Sequence, residues 1–248
     1  MFYPAAGHGI EAAYIRPVLK TPADISRYVT SAESDAFSCS STLQELEDQG
    51  HVGALNWIRR FENGVNGMGR PLVESLAKPN MHWYEMNTEG LTELAMPLNF
   101  GNRLFVSKLD PPAFVNQRLV RLNPLNDLDI DLCHALLNSA VSMFIIEGMG
   151  FGRGLGVLDL SKNRIEEFMH ILDPQQLNDE QSAQIKAAFA PLLQRDLLEL
   201  ADELESPDRQ NFDDAVLAAF GLQIPRQTIY DSLCQLVGIR QTALETFG

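Results

Sequence analysis

Five short β-prone segments follow one another between residues 82 and 122, and this run limits the possible folds most strongly. Asn, Gly and Pro residues separate them, and no helical pattern lies between them. The segments are His82–Met86, Leu94–Leu98, Arg103–Ser107, Ala113–Asn116 and Arg118–Leu122. Such spacing predicts an antiparallel or mixed sheet and argues against alternating β-α-β units.

Helical patterns flank the strand-rich segment. Thr42–Phe61 is predicted as a helix in one or two pieces around a break at Gly50. Leu128–Glu147 is predicted as one long helix, because its apolar residues recur at spacings of three and four. The stripe consists of Leu128, Leu132, Leu136, Leu137, Ala140, Phe144 and Ile145.

A glycine-rich loop, 148–156, follows that helix and carries one cation, Arg153. Val157–Leu160 is predicted as a strand, after which Ser161 caps a short helix. Beyond Asp173 the pattern is purely helical. Helix signals there are a capping box at Asn178, a kink at Pro191, a helix over Asn211–Phe220 closed by Gly221, and a last helix opened by Pro225.

The sequence therefore predicts an α+β fold. We expect a small mixed or antiparallel sheet with packed helices, followed by an all-helical C-terminal region. The expected domains are residues 1–172 and residues 173–248.

Charge is unevenly distributed along the chain. The whole sequence has a net charge of −14, which opposes contact with phosphates. Residues 1–121 hold 11 Lys/Arg and 13 Asp/Glu, whereas residues 122–248 hold 8 and 20. The first half is thus close to neutral, and it is electrostatically freer to approach a nucleic acid.

Other sequence properties indicate a cytoplasmic protein. No apolar run approaches the roughly 18 residues of a membrane span, and the N-terminus lacks a secretory signal pattern. Cys39, Cys133 and Cys234 lie far apart, with no nearby histidine at zinc-ligand spacing. We expect reduced thiols and no metal in this chain.

The string most like a catalytic motif is Asp110-Pro111-Pro112-Ala113-Phe114. Amino-methyltransferases that act on DNA use Asp/Asn-Pro-Pro-aromatic, in which the ring stacks on the flipped base. Here Ala113 occupies the aromatic position, so a Pro-Pro turn between two strands is the favoured interpretation. The glycine loop lacks the lysine and the strand-to-helix context of a phosphate loop, although its glycines allow close backbone approach. The sequence thus predicts no catalytic or cofactor-binding residue in this chain.

Cations of the first half are interspersed with Asn, Gln and Trp residues. Arg, Asn and Gln are the side chains that pair with guanine and adenine edges, and Lys and Arg also contact phosphates. An ordinary solvated surface has the same composition, and composition alone favours that interpretation.

A family resemblance changes that balance. Residues 82–172 resemble the target-recognition region of adenine-N6 DNA methyltransferases from restriction-modification and phage-defence systems. The segments that carry the resemblance are HWYEM at 82–86, NRLFV at 102–106, VNQRLVRLNP at 115–124, HALLNSAVSMFIIE at 134–147 and GRGLGVLDLSKNRIEEF at 152–168. RQNFDDAVLAAFGL at 209–222 resembles the C-terminal tail of such enzymes.

The resemblance implies recognition of double-stranded DNA. Such enzymes carry a methyl-transfer domain N-terminal to this region, which this chain lacks. The chain is then a fragment or a separate specificity subunit, with S-adenosylmethionine bound by a catalytic methyltransferase partner and not by this chain. Combined with the charge distribution, the resemblance predicts no DNA contacts beyond Asp173. The residues predicted to contact DNA are Arg103, Lys108, Arg118, Arg121, Arg153, Lys162 and Arg164.

Three alternatives stay open at this stage. The chain could be a remnant methyltransferase that uses residues 110–114. It could be an acidic protein–protein adaptor that binds a partner and never DNA. It could also belong to a defence complex whose partner is a restriction nuclease or a helicase.

Overall fold

The computed structural model describes residues 3–86, 90–124, 127–153 and 156–242. The strands are β1 (Ile15–Leu19), β2 (Val29–Thr30), β3 (Ser34–Phe37), β4 (Thr92–Pro97), β5 (Asn99–Phe100), β6 (Ser107–Val115), β7 (Leu119–Leu122), β8 (Phe151–Arg153) and β9 (Val157–Asp159). The helices are α1 (Leu43–Asp48), α2 (Val52–Glu62), α3 (Leu72–Ser75), α4 (Ile130–Leu137), α5 (Ala140–Met149), α6 (Lys162–Phe168), α7 (Asp179–Phe189), α8 (Leu200–Glu205), α9 (Pro207–Ala219) and α10 (Arg226–Thr242).

The chain divides into two compact units by its internal contacts. The smaller unit comprises residues 1–20, 31–92 and 111–116, and the larger unit comprises residues 21–30, 93–110 and 117–248. Both sides of the expected boundary at residue 172 belong to the larger unit. A functional division there stays a prediction.

The smaller unit packs two helices beside paired strands. β1 runs antiparallel to β3 and parallel to the end of β6, where Val18 pairs with Phe114. As predicted, Gly50 separates α1 from α2, because its φ of 70° is readily adopted only by glycine. Leu46 and Ile58 from these helices lie in the core with Phe37.

The segment 82–86 corrects an expectation, because it is not a strand. Its aromatic rings pack locally: His82 stacks on Tyr84 with centroids 5.1 Å apart, and Trp83 meets Tyr84 edge-on. The Tyr84 hydroxyl donates to the Ser41 carbonyl at 2.8 Å. Local alternation of aromatic residues therefore reflected ring packing, not a β ladder.

The larger unit contains most of the predicted strands. β4 pairs antiparallel with β7, from Leu94↔Leu122 to Pro97↔Leu119. β2 pairs parallel with the start of β6, and β5, β9 and β8 form a separate three-stranded antiparallel sheet. With the helices around them, these strands confirm the α+β fold with a mixed sheet and a helical C-terminal region.

Strand β6 corrects two further expectations. The predicted strand at 103–107 reaches β structure only at Ser107. The Pro111-Pro112 pair is not a turn but lies inside β6. Lys108 and Leu109 pair with β2, Phe114 and Val115 pair with β1, and the two prolines stand between these pairings, where no N–H is needed.

The predicted long helix over 128–147 is also wrong, because it is two helices bent by 62° at residues 138–139. The Asn138 side chain accepts from the Val106 N–H at 2.8 Å and donates to the Val106 carbonyl at 2.9 Å. Ser139 then caps α5. Leu136 is fully buried as the stripe predicts, but Phe144 is 39% exposed.

The C-terminal helices largely follow their sequence signals. Asn178 forms the predicted capping box of α7, and Gly221 has a φ of 62° just after α9. Two details differ: α7 ends before Pro191 instead of kinking there, and α9 begins at Pro207, earlier than predicted. Leu204, Leu217 and Leu233 join α4, α5 and the sheet in one apolar core.

Within the described residues, no single helix is long and apolar enough to cross a membrane. Among these residues, the bent pair of α4 and α5 is together long and apolar enough for a span, by length and composition alone. The same part of the chain has no group of three or more His, Cys, Asp or Glu side chains that could hold a metal ion.

Candidate nucleic-acid interface

Strand β7 presents two of the predicted DNA-contacting arginines. Arg118 precedes the strand and Arg121 lies within it, opposite Ala95 of β4. Both side chains are exposed, whereas Leu119 between them is buried. The buried neighbour anchors the strand, so the backbone position of both arginines is fixed by the sheet.

A backbone link connects β7 to the start of α6. The Leu98 N–H donates to the Arg118 carbonyl at 3.0 Å, and the Leu98 carbonyl accepts from the Leu160 N–H at 2.8 Å. Ser161, the next residue, caps α6 by accepting from the Arg164 N–H. Helix α6, which carries Lys162 and Arg164, therefore begins two residues after Leu160, whose backbone is bonded to Leu98.

Residues in or next to β7 and α6 line the same cavity, which has a volume of about 400 Å³. Arg121 and Asn123 line it from the β7 side, and Ile165 and Met169 line it from α6. Arg164 immediately precedes Ile165 in α6, and Arg118 lies three residues before Arg121, so the four predicted cations belong to or adjoin the two elements that line this cavity. We call Arg118, Arg121, Lys162 and Arg164 the β7–α6 cluster.

Two cluster residues have partners of limited strength. Lys162 forms an ion pair with Glu166 at 3.3 Å, and both side chains are mostly exposed, so the pair contributes little stability. Arg164 lies over the Phe168 ring, and its buried Nε atom has no hydrogen-bond partner among the described residues. A buried donor without a partner is unusual in a folded protein.

The other predicted residues lie outside this cluster. The Lys108 ammonium is 2.5 Å from the Asp131 carboxylate and is half-buried. Arg103 donates to the Ile25 carbonyl at 3.2 Å and lies over the Phe105 ring. Both side chains thus anchor parts of the larger unit. Arg153 pairs through its backbone with Val157, and its side chain lies outside the described structure.

The predicted glycine loop is partly regular structure, because α5 extends to Met149 and β8 covers Phe151–Arg153, and one of its glycines has a structural reason. A Cβ atom at Gly150 would lie 2.4 Å from the Leu158 side chain, so only glycine allows β9 to approach. Arg240 also binds this loop through the Gly156 carbonyl, while it pairs with the buried Glu147 carboxylate at 2.7 Å. The last helix therefore holds the loop in place.

Sequence reasoning missed a buried ionic network centred on Arg209. Its guanidinium is fully buried and contacts the Glu203 carboxylate at 2.9 Å, the Tyr28 hydroxyl at 2.6 Å and the Asn138 carbonyl at 2.5 Å. Arg195 shares the same Glu203 carboxylate. The spacing of Arg209 and Asp213, four residues apart on α9, was the available signal.

The network shifts the protonation of its members. Burial raises the pKa of Tyr28, and it raises the pKa of Asp213 although Arg209 acts in the opposite direction. Hydrogen bonds from Arg195 lower the pKa of Asp208. These groups are bonded to one another within the larger unit, so the network serves the fold.

Comparison with known proteins gives a fold relationship. The fold is similar to that of the type IIG restriction endonuclease BpuSI, with a TM-score of 0.59 and 11% sequence identity. The similarity covers 95% of this chain and 26% of that chain, so the protein spans about a quarter of the enzyme's length. No protein-family model and no curated protein sequence matches the chain. At 11% identity, this similarity shows a shared fold.

Proposed function

We propose that the chain recognises a DNA sequence for an adenine-N6 DNA methyltransferase of a restriction-modification or phage-defence system. Methyl transfer would take place in a separate catalytic chain or domain that binds S-adenosylmethionine. The observation that carries this proposal is the fold similarity of nearly the whole chain to one quarter of a type IIG restriction endonuclease. That relation fits one part of a larger assembly.

The β7–α6 cluster would supply the contacts. Arg121 is exposed on strand β7 and Arg118 is exposed just before it, which suits an arginine that must pair bidentately with a guanine edge. Lys162, on a flexible stem, suits a phosphate. Lys108 and Arg103 would support the fold near this surface, since their side chains are only partly exposed and contact Asp131 and the Ile25 carbonyl.

The surroundings of residues 110–114 argue against the remnant methyltransferase. Ala113 is fully buried and Phe114 is 4% exposed, packed with Val18 and Ala36. A ring held in the core cannot stack on an extruded base. We expect no methyl transfer from labelled S-adenosylmethionine by the full chain, and transfer by this chain alone would overturn the proposal.

The direct test is enrichment of bound sequences from a library of random duplexes. We expect the full chain to enrich a common sequence. Arg118→Ala or Arg121→Ala should relax the preference at one position, whereas Lys162→Ala should weaken all sequences alike. If the chain binds no duplex, or if the bound duplexes share no sequence, the proposal is contradicted.

A second function, the acidic adaptor, is favoured by one observation. Each Lys or Arg side chain from Lys186 to Arg240 is ion-paired, so the surplus charge of the C-terminal helices is carboxylate. Such a surface suits a cationic protein partner. A gel shift with the chain alone separates the two functions, because the adaptor would not retard DNA.

A further inference from the structure

Residues 63–71 form a loop of the smaller unit that is held by local packing; we call it the Met68 loop. The Gly64 N–H donates to the Phe61 carbonyl at 2.9 Å, and the Gly64 carbonyl accepts from the Leu72 N–H at 2.8 Å. A Cβ atom at Gly64 would lie 2.9 Å from the Leu72 side chain. A larger residue at this position would have to displace the Leu72 side chain at the base of the loop.

Asn66 organises the tip of the loop. Its side-chain oxygen accepts from the N–H groups of Met68 and Arg70 at 2.9 and 3.0 Å, and its amide donates to the Ser75 hydroxyl at 3.1 Å. Its backbone exchanges hydrogen bonds with Arg70 and Gly69, and Gly69 has a φ of 76°. These bonds fix the direction in which the tip projects.

The fixed tip exposes apolar side chains that the fold does not use. Met68 is 79% exposed, the highest value among the large hydrophobic residues of the described chain, and Val65 is 61% exposed. Ordering a loop costs conformational entropy, and exposed apolar surface brings no stability in return. A ligand that buries Met68 would recover both costs.

The charge around the loop is positive although the protein is acidic. Residues 59–78 contain four Lys or Arg residues and two Glu residues, and Arg59 is paired with Glu47, which leaves a small positive surplus against a net charge of −14 for the chain. Arg70 is exposed two residues from Met68, and Arg60 lies over the Trp57 and Phe61 rings at the end of α2. An anionic ligand is therefore favoured at this position.

We propose that Met68 is an apolar wedge that inserts between two base pairs of duplex DNA, while Arg70 binds an adjacent phosphate. A single methionine on a narrow turn cannot supply the roughly 800 Å² that each partner of a stable protein interface buries. One apolar side chain is, however, enough to unstack and kink a base step. The inference rests on the proposed function only in taking duplex DNA as the ligand.

The test uses a short duplex with 2-aminopurine placed in TpA steps, because such pyrimidine–purine steps unstack most readily. The full chain should raise 2-aminopurine fluorescence when it binds. Met68→Ala should remove that rise and weaken binding about tenfold, because the wedge loses most of its apolar surface. Met68→Leu should retain both properties.

Two controls separate the wedge from general effects. Val52→Ala removes another exposed apolar side chain of the smaller unit and should change neither readout. Arg70→Ala should lower the slope of log affinity against log salt by about 0.9, whereas Met68→Ala should leave the slope unchanged. Equal thermal unfolding of all variants shows that the loop change is local.

The outcomes distinguish this inference from the proposed function. If Arg118→Ala and Arg121→Ala weaken DNA binding while Met68→Ala matches the parent in both readouts, only the wedge is wrong. If the parent does not bind duplex DNA, both proposals are wrong. If Met68→Ala loses the fluorescence change and Met68→Leu keeps it, the wedge is supported.

Discussion

The arginines of α9 and α10 and those of the β7–α6 cluster are the same residue type in opposite settings. Arg209 and Arg240 are buried, and each is bonded to a buried carboxylate. Arg118 and Arg121 are exposed on a strand whose backbone is fixed by its neighbour. A guanidinium in the first setting cannot reach a ligand, whereas one in the second can.

The comparison explains how an acidic protein can have a DNA-binding surface. Net charge counts buried and exposed cations alike, but only exposed ones act on a phosphate at close range. In the helical C-terminal part, the cations are held in ion pairs that belong to the fold. The predictions below test this division of roles.

The largest expected effect is on stability, from breaking the buried network. Arg209→Met should lower the free energy of unfolding by about 3–5 kcal/mol, because Asp213 loses its buried counter-charge and Glu203 keeps only Arg195. Urea denaturation measures this. Arg118→Ala is the matched control on the exposed side and should stay within about 0.5 kcal/mol of the parent. Equal losses of unfolding free energy in the two variants would contradict this division of roles between buried and exposed arginines.

A second effect concerns buried His134, whose ring lies 3.0 Å from the Val106 carbonyl. Burial lowers the pKa of His134 to about 4. The unfolded chain binds this proton below about pH 6.5, whereas the native state stays neutral until about pH 4. Stability is therefore fully present above the unfolded pKa and falls as the pH drops between these values, by about 3 kcal/mol in total.

The measurement for His134 is the free energy of unfolding as a function of pH. In His134→Gln, the loss between about pH 6.5 and pH 4 should be about 3 kcal/mol smaller than in the parent. The same pH dependence in both proteins would show that His134 takes up its proton in the native state.

The smallest effect on stability is expected from the exposed pair of Lys162 and Glu166. Glu166→Gln should change the free energy of unfolding by no more than about 0.5 kcal/mol, because both side chains are solvated. DNA affinity should nevertheless rise, since a carboxylate beside Lys162 is removed. Unchanged affinity at low salt would place Lys162 away from DNA.

Local sequence signals predicted the elements whose causes are local. Thr42 and Asn178 form capping boxes, and Gly50 and Gly221 adopt the positive φ angles that end helices. The break at Asn138 could not be predicted in this way, because its side chain is bonded to Val106, 32 residues away. The apolar stripe continues across the break and therefore indicated one helix.

The same limit applies to the candidate site. Sequence placed Lys108 and Arg121 in one set of cations, and only the structure separates them, because the Lys108 side chain is 22% exposed whereas Arg121 is fully in the exposed range. Likewise, the extent of strand β6, which begins only at Ser107 and includes the Pro-Pro pair, depends on strand partners from distant parts of the chain. Exposure and pairing of a cation are tertiary properties that composition does not contain.

The central claim is that exposed cations of the β7–α6 cluster, and not the buried ones, bind DNA. The most direct measurement is the salt dependence of duplex binding by the full chain and by Lys162→Ala. If Lys162 binds a phosphate, the slope of log affinity against log salt should decrease by about 0.9, with unchanged urea stability. An unchanged slope and affinity would contradict the account.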